Sequence, residues 1–546
     1  MNTILSIIKE ELRILLLDFD IQENIQISVS KLDAFDIQIN NLVKYENHSS
    51  IKEIKNAVNE KLESIEYLSG VEFGEKFFIN IKFDYYELSK VITNLNDNFK
   101  LESPKTIIFD YGGPNIGKPL HVGHLRSLNI GRSLYNMHNF IGNDTNSDIH
   151  MGDWGMPIAQ IISYIEKENI DIKSLKVEDL ESIYPISSKL YSEDKNFKEK
   201  AKEINKNLNK GNKETIEKWK SIKKLSLASI KESLGILNHD FDYWYGESDV
   251  NYVIPGMLDD LIKKDKVRYD ENALISNEDT DPKILITKSD GSYLYITTDL
   301  ATVLHREKNI PYDKAYYVVD NRQSLHFEQL FSSLKYFEFK NLDYEHVSFG
   351  TLNDEKGNPF KTREGGTKPL LELFKETYEY IYKINKDLNK ESIDLLTNTV
   401  LTFSDLLTNR KTNYKFNLKK FTNISGKTGI YVQYSQVRAK KLLEHNDGHG
   451  EFGAKRNLSS AENQLMSDLF LFSYYLERSI ELSEPHHLAN YLYEISNSFN
   501  LFYEEEKILS IQDEKLKNSK IYITNLFLNT CHSAMFCLGI KPVNKM

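Results

Sequence analysis

Between Lys105 and about Asp313, short apolar runs alternate with stretches of helical spacing. This alternation constrains the chain more than any other feature, because strand–helix–strand units in series demand a parallel sheet covered by helices. The first unit is the most specific. An apolar run over 106–109 leads into Pro114-Asn115-Ile116-Gly117-Lys118-Pro119-Leu120-His121-Val122-Gly123-His124, and a helical pattern starts near Leu125. A helix start after such a loop aims free N–H groups and a partial positive charge at whatever binds there. His121 and His124 are three apart and share one helical face. Gly123 between them leaves room for a flat ring or a phosphate, and Lys118 adds a mobile positive charge. The stretch reads as a nucleotide site. Two surface histidines on an ordinary helix are the alternative; a metal pair would need a further ligand that the nearby sequence lacks.

A chain of 546 residues holds roughly two to four domains. Residues 1–98 mix strand and helix, with strands expected over Ile25–Val29 and Phe77–Phe83 and a helix over Ile51–Leu62. They form a small N-terminal α/β domain, followed by a polar connector at Asn96–Pro104. Residues 104–395 form the parallel-sheet domain, interrupted over 186–232 by a Lys- and Glu-rich helical insertion in which Trp219, Ile222, Leu225 and Ile230 share an apolar side. From about Leu370 the pattern is almost wholly helical, so 396–546 is an all-α domain, with His445–Arg456 prone to disorder. Cys531 and Cys537 are too few for a disulfide framework. The amphipathic start Met1–Phe19 carries Glu10, Glu11 and Asp18, against a signal or transit peptide, and no apolar run approaches a membrane span. The expectation is a soluble cytoplasmic protein.

Further stretches carry chemistry. Phe349-Gly350-Thr351, then Gly357–Thr367 with Lys361 and Arg363, reads as a glycine-hinged loop able to close over phosphates, or as a solvated loop. Gln323 and His326 follow the apolar run Tyr316–Val319, where a parallel sheet presents recognition groups. Glu247 and Asp299 are isolated acids; spacing alone favours helix-dipole decoration, with Thr297 or Thr298 as N-cap. Residues 406–441 hold nine basic residues and no acid: Arg410, Lys411, Lys415, Lys419, Lys420, Lys427, Arg438, Lys440 and Lys441. Tyr414, Phe416, Phe421, Tyr431 and Tyr434 are interleaved. In a chain of net charge −11, such a patch suggests a nucleic-acid face.

Taken together, these motifs resemble the class I aminoacyl-tRNA synthetases and, among them, the arginyl-tRNA synthetases. Pro114–His124 resembles their extended HIGH motif. Gly152-Asp153-Trp154-Gly155 matches their Gly-Asp-Trp-Gly, and Phe197–Ala201 with Trp219 resembles their insertion. Ser289–Tyr295 and Thr298–Ala301 are similar to their arginine-pocket segment, and Phe360–Thr367 to their KMSKS loop without its second lysine. Gln433-Tyr434 with Arg438, Tyr491–Glu494 and Phe499–Tyr503 are similar to their anticodon-binding helices. Departures are the loosely matching Phe35–Asn40, Thr298 in place of a common arginine, and the ending Pro542–Met546.

The resemblance implies a Rossmann-like catalytic domain and an arginine–tRNA ligase using ATP as its magnesium complex, with no tightly bound protein-ligated metal. Partners would be tRNA(Arg), L-arginine and ATP, with no membrane, and the chain a monomer. It assigns Lys118, His121, His124, Lys361 and Arg363 to catalysis, and Pro114, Gly123, Phe349 and Phe360 with both histidines and Lys361 to ATP. It assigns Asn115, Glu247, Tyr295, Asp299 and Gln323 to arginine, which overturns the dipole reading of the two acids. The basic stretch and Tyr434 would hold tRNA, and tRNA would be needed even for adenylate formation. Two rivals are a paralogue that activates arginine or an analogue without charging tRNA, and a non-catalytic RNA-binding protein on the same fold.

Overall fold

The computed structural model describes residues 3–74, 76–91, 99–277, 283–340, 342–358, 360, 368–445, 450–453 and 455–546. The N-terminal part holds an antiparallel sheet of β1 (Ile27–Val29), β2 (Ile37–Ile39), β3 (Leu68–Phe73) and β4 (Ile79–Phe83), in the order β1-β2-β4-β3. The helix Ile51–Glu63 packs on β3, and the helix Ile4–Leu17 packs on it in turn. Ile54, Val58 and Leu62 on one, and Leu5, Ile8, Leu12 and Leu16 on the other, form buried stripes at helical spacing.

β5 (Thr106–Tyr111) and β6 (Asp144–Asp148) follow, then an antiparallel unit of β7 (Val267–Asp270), β8 (Ala273–Ser276) and β9 (Leu285–Thr287), then β10 (Lys314–Val318) and β11 (Asp343–His346). β11-β10-β5-β6 form one parallel sheet. Ile107, Ile108, Phe109 and Tyr111 are all buried, as strands covered on both faces require. The chain moves from β5 to β6 on one side and later returns to place β10 on the other. The C-terminal ends of β5 and β10 therefore flank a topological switch point, where open α/β sheets bind ligands.

β7–β9 depart from the strand–helix alternation. Glu271 and Asn272, both at positive φ, form a tight turn that pairs β7 directly with β8, so no crossover helix intervenes. The insertion is helical, with helices Val177–Glu193, Lys195–Asn209 and Lys213–Ile236 stacked on Met156–Lys167. Ile222 and Ile230 are buried there, and Trp219 and Leu225 partly so.

The C-terminal part is helical from Leu370 onward apart from Tyr414–Lys415, which pairs in parallel with Leu352–Asn353. Within the stretch expected to be disordered, residues 446–449 and 454 lie outside the described ones. Phe452, however, is buried against Tyr522 and Tyr86, so a single aromatic anchors a segment whose composition suggests none. Among the described residues no helix is long and apolar enough to cross a membrane.

Candidate active site

A cleft of about 550 Å3 opens at the switch point, lined by His121, Gly123, His124, Gln323, Phe349 and Phe360 among others. The helix His124–Phe140 starts at its floor. Its first N–H groups are less available than the sequence suggests: those of His124 and Leu125 donate to the carbonyls of His121 and Val122. The His121 N–H donates to His124 Nδ1 at 3.0 Å, and the Gly123 N–H donates to His121 Nδ1 at 3.1 Å. His121 Nδ1 thus accepts a main-chain proton, which places the ring proton of that neutral imidazole on Nε2, whereas His124 Nδ1 also lies 3.2 Å from the His121 carbonyl and can donate to it. A Cβ on Gly123 would stand 2.8 Å from the His121 ring, so this folded-back arrangement needs glycine. The rings lie 3.9 Å apart. Burial pushes His124 down to about 3, with His121 adding to the effect; burial and then Lys118 lower His121. The donors offered to an anion here are two neutral imidazoles more than a bare helix end.

Lys118 is not part of the cleft lining. Its Nζ sits 3.9 Å from the ring centroid of Tyr184 on the insertion. Lys361 and Arg363 lie outside the described residues. The flanks of their loop are both at the site. Phe360 lines the cleft, while the Val122 N–H donates to the Lys368 carbonyl (3.0 Å) and the Leu370 N–H to the Leu120 carbonyl (2.8 Å). Phe349 is buried, and its carbonyl accepts from the Asn321 N–H at 3.0 Å.

A second arrangement joins the signature loop to the two acids. The Gly152 N–H donates to the carbonyl of buried Pro114, and Ile116 N–H to the Gly152 carbonyl, leaving Asn115 exposed between them. Asp153 accepts from the Ser248 N–H and Oγ (2.8 and 2.6 Å) and pairs with Lys223 at 2.5 Å. A Cβ on Gly246 would meet the Asp153 carboxylate at 2.7 Å, so the turn before Glu247 can sit this close only with glycine. Burial pushes Glu247 up to about 7; the Asp153 and Asp299 carboxylates add to this and His150 opposes it.

Asp299 is not in a first helical turn. The helix Tyr295–Asn309 has Leu294 at its N-cap, and neither threonine caps it: Thr297 donates to the Ile286 carbonyl and Thr298 to that of Tyr295. Asp299 instead binds His326 Nε2 at 2.5 Å, and that bond raises His326 above its ordinary value. Tyr295 and Gln323 are exposed.

Beneath this pocket lies a buried charged layer that sequence reasoning missed. Arg306 pairs with Asp110 and Asp148, both at 2.6 Å, and His150 Nδ1 is 3.7 Å from Asp148. Burial raises Asp110, with Arg306 opposing, whereas on Asp148 burial is outweighed by Arg306 and His150 together, through charge and hydrogen bonds, and the carboxyl is lowered. The available signal was an acid at or near the C-terminal ends of β5 and β6, matched by an arginine at helical spacing from Leu300 and Val303.

The basic stretch divides. Arg410 is only 6% exposed and donates to the carbonyls of Ser483 and Ser348. It is a structural tie and is corrected out of the nucleic-acid face. Tyr414, Phe416 and Phe421 are core. Lys411, Lys415, Lys419, Lys420 and Lys441 are exposed, and Lys440 reaches Asn544. Arg438 stacks between Tyr434 and Tyr503, 4.5 and 4.6 Å from their centroids.

Comparison with known proteins bears on this geometry. Residues 87–418 match the family described as tRNA synthetases class I (R), catalytic domain, and residues 432–546 match the DALR anticodon binding domain. The chain is 33% identical over 525 residues to an arginine–tRNA ligase of Francisella tularensis subsp. novicida, and 33% over 532 residues to one of Alkaliphilus oremlandii, covering 90% of each chain in both cases. Its fold is that of arginyl-tRNA synthetases from Plasmodium falciparum (TM-score 0.82, 23% identity, full coverage of both chains) and Thermus thermophilus (TM-score 0.83, 18% identity, 99% of this chain and 100% of that one). With matches to both family descriptions and one-third identity along nine-tenths of its length, the chain belongs to the arginine–tRNA ligase family of class I aminoacyl-tRNA synthetases.

Proposed function

We propose that the cleft activates L-arginine with ATP and that the chain then esterifies it to the 3′ end of tRNA(Arg). The observation that carries this is the joining of Glu247 to the signature loop through Gly152 and Asp153, beside Asp299. A guanidinium is a planar fork that two carboxylates match and a neutral pocket does not. The arginine carboxylate attacks the α-phosphorus, and the bond to pyrophosphate breaks. A ribose hydroxyl of tRNA then attacks the adenylate carbonyl, and AMP leaves.

This chemistry needs alignment and charge neutralisation, with no protein nucleophile. His121 donates from Nε2 to the phosphates with His124 beside it, and Gly123 and Phe349 border the nucleotide. Asn115 and Gln323 hold the amino acid's polar groups, and Tyr295 closes over its side chain. ATP enters as its magnesium complex, the ion carried mainly on phosphate oxygens. Lys361 and Arg363 meet the pyrophosphate from a loop whose flanks are both at the cleft. Lys118 acts from the rim, through its field on His121. The division into 1–98, 104–395 and 396–546 assigns tRNA contact to the first and last parts, catalysis to the middle one.

A charging assay tests the reading. Arginine should be esterified to tRNA(Arg), with lysine and citrulline disfavoured by about 10⁴-fold, because an ammonium cannot fork between the two part-buried carboxylates and neutral citrulline pairs with neither. Arginine-dependent pyrophosphate release with no charged tRNA would instead favour the paralogue reading. For the basic face, charge reversal at Lys419, Lys420 and Lys440 should raise the KM for tRNA and flatten its logarithmic salt dependence by about 0.9 for each phosphate no longer neutralised. An unchanged KM and slope would remove these lysines from the interface.

A further inference from the structure

Glu484, His486 and His487 sit away from the cleft, where the helix Phe472–Glu481 gives way to the helix His486–Glu506. Among the described residues they form the one group of three metal-ligating side chains whose donor atoms all lie within 4.8 Å of one another. The His487 Nε2 is 3.5 Å from Glu484 Oε2, and the His486 Nδ1 is 3.8 Å from it. Ligands about 2.1 Å from a tetrahedral zinc ion are separated by about 3.4 Å, so little movement is needed to seat one. The His486 Nδ1 and His487 Nε2 atoms are buried, and the polar group they face is the Glu484 carboxylate, too far from His486 Nδ1 for a hydrogen bond. A buried polar nitrogen without a partner is costly and calls for an explanation.

The geometry points to a binding site for a zinc-type divalent cation at Glu484, His486 and His487. Two imidazoles and one carboxylate suit a borderline transition ion and not magnesium or calcium, which prefer all-oxygen sites. The carboxylate is held from behind: Lys411 Nζ takes Oε1 at 3.2 Å and Asn409 Nδ2 donates to Oε2 at 3.2 Å, the kind of outer support that orients a ligand. Lys411, Arg410 and Arg478 bring positive charge to the same corner, which keeps affinity below that of a closed structural site. The position matters because Arg410 bonds the carbonyl of Ser483, next to Glu484, and that of Ser348, next to Phe349 of the cleft. A bound ion would therefore stiffen a seam that reaches the nucleotide site.

Equilibrium dialysis of the full chain against zinc chloride tests this. Wild type should bind one ion saturably, and Glu484→Gln and His487→Gln should each weaken it by more than about tenfold. Thermal unfolding checks the same point without relying on stoichiometry. Zinc should raise the midpoint of wild type, while both variants keep their metal-free midpoint close to wild type and fail to respond. No saturable ion, or binding by the variants equal to wild type, would overturn the proposal.

Discussion

Glu247→Gln is expected to lower kcat/KM for arginine by about 10²–10⁴, with a far smaller effect on the KM for ATP. Removing one partner of a desolvated charge pair costs about 3–5 kcal/mol, and each decade of rate corresponds to about 1.4 kcal/mol. The amide is isosteric, so the loop held by Ser248 and Asp153 should keep its shape. The amide also turns an N–H toward a guanidinium that only donates. A loss below tenfold would place Glu247 outside the pocket. The same residue predicts a pH dependence. Burial holds its carboxyl up at about 7, and arginine needs the ionised form, so the KM for arginine should fall as pH rises through that value. Glu247→Gln should flatten this profile. For the free protein the sign is opposite. Between the ordinary carboxylate range and about 7 the folded state holds more proton than the unfolded one, so this group's contribution to stability falls as pH rises.

Arg126→Met is expected to destabilise the protein by about 3–5 kcal/mol, because it strands a buried carboxylate. Arg126 is 1% exposed, its Nε donates to Asp405 Oδ1 at 2.9 Å, and Nη1 donates to the carbonyls of Gly350 (2.9 Å) and Thr412 (2.7 Å). It thus ties the helix His124–Phe140 to the helix Lys390–Leu406 and to the Phe349–Gly350 wall of the cleft. After the substitution Asp405 keeps only the Asn129 amide at 3.0 Å among its charged and amide partners. Denaturant midpoints for Arg126→Met, Asp405→Leu and the double variant check this. The double variant should recover most of the loss, since an apolar pair of matching volume removes the stranded charge. Additive losses would show that the pair does not act as a unit.

The two central strands of the sheet were legible because 106–109 and 316–319 are apolar runs, whereas the outer strands Asp144–Asp148 and Asp343–His346 are polar and left no such signal. Phe77–Phe83 was legible as a similar run and Ile51–Leu62 by its helical spacing. β7–β9 were not, since strands of three or four residues joined by a local turn leave no pattern to count. In the site, the spacing of His121 and His124 was visible, but their use of Nδ1 on the main chain depends on backbone folding that spacing does not encode. Arg410 looks like its basic neighbours until burial separates it from them. Glu484-Pro485-His486-His487 lacks any ligand spacing signature, because adjacent histidines meet one carboxylate only through the turn before their helix.

The pairing of Leu120–Val122 with Lys368–Leu370 joins two stretches nearly half the chain apart, and its hydrogen bonds run between main-chain groups. An alanine scan would register this joint only as lost packing of Leu120, Val122 and Leu370, all of them buried, since every alanine keeps the N–H and carbonyl that make the pairing. Genetically, side-chain replacement cannot separate the main-chain coupling between the first histidine and the far end of the second loop from the packing around it. Only proline at Val122 or Leu370, which deletes a donor, would make it heard.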